Sequence, residues 1–273
     1  MLDVRPSPIA GQWYPGNPKP LTKTVDDYLA AAPAPDVAGE VIGVVAPHAG
    51  HRYSGAVAAC AFKAAQPLKV DTIVVTCPSH FHDTGPLLTT GHEAYTTPLG
   101  EVPVDGEALT QLLKTCPVPI VSIRHDREHA IEIELPFLQR LFADFKLIPL
   151  MIRDQTLSVV SALAKALVET LRERHVLYVA SSDLSHFYPQ AEAKKFDAYL
   201  LSKIEAFDPA GVLQAEKEGQ GFACGRGAIA TTLLVARQLG ATKARVLKHA
   251  TSGDVSGDYN QVVGYGAAVI WKE

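Results

Sequence analysis

Residues 176–186 read VLYVASSDLSH, and this stretch decides the fold class. Val176–Ala180 is an apolar, β-branched run without alternation, the pattern of a strand covered on both faces. It breaks into a polar loop, Ser181-Ser182-Asp183-Leu184-Ser185-His186. The same unit recurs outward. Val41–Ala46 (VIGVVA) ends at Pro47-His48-Ala49-Gly50, and Thr72–Thr76 (TIVVT) is stopped by Pro78 ahead of Ser79-His80. Leu147–Ile152 reads as a further strand and Val262–Trp271 as the last. Helical patterns lie between them: a helix capped by Ser54 and running through about Ala65, then Leu157–Arg174, Gln190–Ala206 and Arg226–Leu239. Strands alternating with helices predict one α/β domain over residues 1–273, with a largely parallel or mixed central sheet and helices on both faces. The Pro/Ala-rich stretch Ala30–Gly39 joins a first helix to a first strand rather than separating two domains.

Composition narrows the function. Apolar residues make up 47% of the 273 and charged residues 20%, which excludes a disordered or fibrous chain. With 25 basic and 29 acidic residues the net charge is −4, and no basic stripe is present to displace counterions from nucleic acid. No apolar run approaches the ~20 residues of a membrane span. Asp3 and Pro6 stand where a signal peptide would be basic and then apolar, so a soluble, cytoplasmic protein is expected. No pair among Cys60, Cys77, Cys116 and Cys224 has the C-x-x-C spacing of a zinc knuckle or redox dithiol. Gly264-Tyr265-Gly266 imitates a dinucleotide fingerprint but lies inside the last strand instead of at a strand-to-helix turn.

Open α/β sheets bind ligands beyond the C-terminal ends of their strands. Three such ends carry His48, His80 and His186, the last with Asp183. Imidazoles and a carboxylate on one rim suit a divalent transition metal with open coordination positions. Cys224 adds an anion. It directly precedes the Arg226–Leu239 helix, where free N–H groups and the helix dipole are expected to lower a thiol's pKa. Asp126 reads as the N-cap of another helix, and Pro136 as kinking or shortening it. On that helix His129 and Glu132, three residues apart, share a face and are candidates to orient a metal shell or relay a proton. Cys60 reads as core, and Cys77, just before Pro78, as a thiol lining the site without ligating.

Together these residues resemble the Memo family, called AmmeMemoRadiSam system protein B in prokaryotes. The matching stretches are Ala10-Gly11-Gln12-Trp13-Tyr14-Pro15, Pro47-His48-Ala49-Gly50-His51-Arg52-Tyr53-Ser54-Gly55, Pro78-Ser79-His80 and Glu128-His129 with Glu132, followed by Ser181–His186, Cys224-Gly225 and Ser252-Gly253-Asp254. The resemblance implies a domain similar to the class III (LigB-like) extradiol dioxygenases, which open catechol rings with ferrous iron held by two histidines and a carboxylate. It implies a pocket for iron, with copper or zinc as alternatives. His48, His80 and Cys224 would ligate the metal, His186 and Asp183 would be catalytic, and Glu132 and His129 would support them. A small-molecule or peptide ligand in the cleft and a radical-SAM partner protein are implied as well. Cys224 stands where the dioxygenases supply a carboxylate, a departure that weighs against ring cleavage. Cys77 stands where the family pattern has glycine.

Overall fold

A computed structural model describes residues 2–66, 68–81 and 84–273. In chain order the elements begin with β1 (Val4–Arg5), α1 (Pro18–Ala31), β2 (Glu40–Ala46), α2 (His51–Ala65) and β3 (Thr72–Pro78). Three short strands follow, β4 (Leu87–Thr90), β5 (Ala94–Thr97) and β6 (Gly100–Pro103), then α3 (Gly106–Thr115) and β7 (Ile120–Ile123). Next come α4 (Leu135–Leu141), β8 (Lys146–Ile152), α5 (Leu157–Leu171), β9 (Val176–Ser181) and β10 (His186–Tyr188). The chain closes with α6 (Gln190–Glu205), α7 (Pro209–Gln214), α8 (Arg226–Gln238), β11 (Lys243–Thr251), α9 (Gly253–Ser256) and β12 (Val262–Lys272).

The main sheet runs β10-β12-β2-β9-β3-β8-β4-β7, with β11 on the other side of β12. Its centre, β2-β9-β3-β8, is parallel. Antiparallel pairs flank it, β12 with β2 on one side and β4 with β8 on the other. A second sheet, β1-β5-β6, stands apart. The architecture is therefore the mixed α/β sheet that the strand–helix alternation predicts.

Burial on both faces explains the unbroken apolar runs. In β3, Ile73, Val75 and Cys77 join a core shared with α1, α2 and α4. Val74 points the other way, into a core shared with α3, α5 and α8. This period of two is that of an extended strand, and it holds a fully buried strand between two helical layers. Among the described residues, no helix is long and apolar enough to cross a membrane.

Three local expectations are corrected. Ser54 does not cap α2. The helix begins at His51 behind Gly50, because the His51 N–H is taken by the Trp13 carbonyl at 2.8 Å, and Ser54 donates back to the Ala49 carbonyl. Asp126 caps no helix, since residues 124–131 are irregular. Its carboxylate instead accepts from the Arg5 Nε–H and the Glu128 N–H, each at 2.7 Å. Pro136 does not kink a helix; it sits in the first turn of α4, where no N–H is required of it.

Candidate functional site: three strand ends and one helix start

Strands β2, β9 and β3 are adjacent and parallel, so the loops leaving their C-terminal ends meet over one edge of the sheet. The Asp183 carboxylate fastens two of them. Its Oδ1 accepts the N–H groups of His48 at 2.8 Å and Ala49 at 3.3 Å. The Asp183 carbonyl accepts the Cys224 N–H at 3.3 Å, which brings in the start of α8. Gly225 permits that approach: a Cβ there would lie 2.6 Å from the Ser181 carbonyl oxygen and 2.7 Å from the Ser182 Cβ.

These ties bring His48, His80 and Cys224 together. Cys224 Sγ lies 3.2 Å from His48 Nε2, and one donor atom from each of the three residues falls within 4.8 Å of the others. Each imidazole is oriented through its other nitrogen. His48 Nδ1 is 3.0 Å from Ser181 Oγ, and His80 Nδ1 is 2.8 Å from Glu128 Oε1. A hydrogen bond at Nδ1 fixes the tautomer and leaves the Nε2 lone pair for a metal. Burial, then the neighbouring imidazoles, holds His48 well below the ordinary histidine pKa, so its ring is neutral as ligation requires.

Glu128 is the residue that spacing did not single out. It is 1% exposed. Its Oε1 also accepts the N–H groups of His129 and Ala130, and its Oε2 accepts the His80 N–H. Burial pushes this carboxyl up, but the His80 hydrogen bond and nearby imidazoles outweigh it and hold the group below the usual range. In the sequence its signals are its place beside His129 and its membership of the Glu128-His129 stretch that carries the family resemblance. Glu132 lies elsewhere. It accepts from Arg5 Nη1 at 2.8 Å and from the Ser7 and Tyr14 hydroxyls, so it braces the N-terminal segment under the site. Residues 128–131 are not helical, and the shared face expected for His129 and Glu132 does not form.

His129 does face the cleft. Its ring stacks on His80 with centroids 4.7 Å apart and meets Trp13 at 4.3 Å; burial lowers its pKa to about 4. His186 and Asp183 line the same cleft, which has a volume of about 470 Å³ and is also walled by Trp13 and Tyr53. Burial lowers the His186 pKa and raises that of Asp183 to about 7. Cys224 does not behave as a helix-terminal thiolate. Burial and the Asp183 carboxylate push its thiol upward, against the weaker pull of hydrogen bonds from Ser182 and Gly225. Desolvation outweighs the helix terminus here. Cys77 does not line the cleft: it is fully buried at the end of β3, in the same core that holds Cys60 of α2.

The sequence profile of the family described as Memo-like protein matches residues 5–269. A MEMO1 family protein of Methanopyrus kandleri is 36% identical over 274 residues, covering 96% of this chain and 97% of that one. A MEMO1 family protein of Methanococcoides burtonii is 37% identical, with 98% and 100% covered. One from Nitrosopumilus maritimus is 33% identical, with 97% and 98% covered.

Proposed function

Because the chain belongs to the Memo family, we propose that its cleft is a transition-metal centre of a redox enzyme related to the extradiol dioxygenases. Iron is the first choice of metal, with copper or zinc as alternatives. The observation that carries this reading is the convergence of His48, His80 and Cys224, with each histidine already fixed through Nδ1. Two imidazoles and a sulfur suit these metals better than magnesium or calcium. Bound there, iron or copper would supply one-electron redox chemistry and Lewis acidity. A carboxyl near neutrality, Asp183, and the neutral His186 beside it in the cleft would hold and move a proton on a small ligand. The wall of Trp13, His129 and His80 would orient a planar substrate. A reducing cytoplasm would keep Cys224 as a thiol.

A second reading is favoured by the exposed aromatics Tyr53, Phe81 and Phe187, which are 38%, 55% and 67% exposed. Phe81 packs by His80 and Phe187 by His186. They would suit a non-catalytic module that holds a peptide, or one that passes metal to a radical-SAM partner protein.

Metal content after anaerobic purification tests the first reading, with wild type beside His48→Ala and Cys224→Ala. Near-stoichiometric iron or copper lost in both variants supports His48 and Cys224 as ligands. Loss in His48→Ala alone makes Cys224 a pocket thiol and not a ligand. No metal in the wild type, even after reconstitution, overturns the reading and leaves the peptide module.

A further inference from the structure

Behind His48 a buried hydrogen-bonded chain continues past Ser181 to Glu134. Ser181 Oγ touches His48 Nδ1 at 3.0 Å, the Ala130 carbonyl at 2.6 Å and Glu134 Oε1 at 2.8 Å. A hydroxyl has one proton to donate and two lone pairs to accept with. The Ala130 carbonyl only accepts, so it takes the Ser181 proton. An ionised Glu134 would also only accept, and it would then have no donor at Oε1. Its Oε2 already lacks a partner, and the side chain is 1% exposed. A buried carboxylate with neither oxygen satisfied is too costly to stand.

We propose that Glu134 is a neutral carboxylic acid that donates to Ser181 and thereby acts as the positioning residue for His48. With that proton in place, every group at Ser181 is satisfied. Ser181 donates to Ala130 and accepts from Glu134 with one lone pair. The other lone pair accepts Nδ1–H of His48, which leaves His48 Nε2 bare beside Cys224. Burial, joined by the nearby Asp183 carboxylate, pushes the Glu134 carboxyl well above its usual range, in keeping with this proton count. The consequence for metal binding rests on the metal-centre reading; the proton placement does not.

Infrared spectra of the metal-free protein at about pH 9, where Asp183 is ionised, test the placement directly. A carbonyl band of a protonated buried carboxyl is expected in wild type and absent from Glu134→Gln; its absence from wild type overturns the proposal. Should Glu134→Gln fail to fold, the carboxyl carbon chemical shift of Glu134 in wild type decides instead. A shift of the protonated acid is expected at about pH 9, and that of an ionised carboxylate refutes the proposal. Anaerobic titration with ferrous iron tests the positioning role. The Gln amide still donates to Ser181, so Glu134→Gln should bind within about threefold of wild type. Glu134→Leu should bind about 10- to 100-fold more weakly. Equal loss in both variants overturns the positioning role. If wild type itself binds no iron, the metal reading fails while the infrared band still judges the proton.

Discussion

Glu128→Gln is the sharpest perturbation of the site that leaves its shape intact. The carboxylate accepts four hydrogen bonds while nearly fully buried: His80 Nδ1 at 2.8 Å, the His80 N–H at 2.8 Å, and the N–H groups of His129 and Ala130 at 3.0 Å each. Gln keeps the volume but only one accepting oxygen. With that oxygen at the Oε1 position, the amide NH₂ faces the His80 N–H, donor against donor. The change removes one hydrogen bond to a charged group and weakens three, which places the loss at about 2–4 kcal/mol. For a chain of this length, about 2 °C of melting temperature corresponds to each kcal/mol, so a fall of about 4–8 °C is expected by calorimetry on metal-free protein. The Glu128 carboxyl is held below its unfolded value. Its contribution is therefore present above the unfolded pKa and disappears as pH falls through the folded one, so wild type and variant should converge in acid. A drop below about 1 °C at pH 7, or a difference that persists unchanged in acid, would refute the account of Glu128 as the anchor of His80.

Three further outcomes follow from the same geometry. Arg5 is 1% exposed and bridges Asp126 and Glu132 while donating to the Glu128 carbonyl; Arg5→Met removes the cation that two buried carboxylates share and should cost about 3–5 kcal/mol in thermal unfolding, a neutral result counting against the brace. Burial raises Asp183 to about 7, so the folded chain keeps a proton that the unfolded chain releases above about pH 4, and stability should fall between those values by up to about 1.4 kcal/mol per pH unit. Asp183→Asn, whose amide oxygen still accepts from His48 and Ala49, should fall less steeply by that amount, leaving the slope that Glu134 contributes; an unchanged slope would show that Asp183 is not the group titrating. Metal-free Cys224 should be alkylated by iodoacetamide more slowly than free cysteine at pH 8, because desolvation disfavours its thiolate; faster reaction would restore the helix-terminal thiolate.

The central sheet was legible because β2, β3, β8 and β9 are buried on both faces, and burial writes itself as unbroken apolar runs bounded by Pro or polar loops. The short strands β4 to β7 and the edge strand β11 carry no such run. Lys243, Arg245 and Lys248 in β11 read as solvated sequence and serve to keep an edge polar. Helix starts were misplaced where tertiary contacts claimed the backbone. The Trp13 carbonyl on the His51 N–H moved the start of α2 ahead of Ser54, and Arg5 drew Asp126 away from any capping role.

By itself the sequence determined which side chains could converge, because a histidine placed just past a parallel strand stands at the one edge where open sheets gather their loops. That put His48, His80, His186 and Asp183 on one rim and raised Cys224 as a candidate beside them. Only the tertiary structure decided protonation and orientation. Those depend on desolvation and on hydrogen bonds between residues distant in sequence: Glu128 to His80 across 48 positions, Ser181 to His48 across 133, Glu134 to Ser181 across 47. Spacing along a chain registers none of them. It also cannot register that burial outweighs a helix terminus at Cys224, or that Glu132, on paper the partner of His129, is held by Arg5 instead.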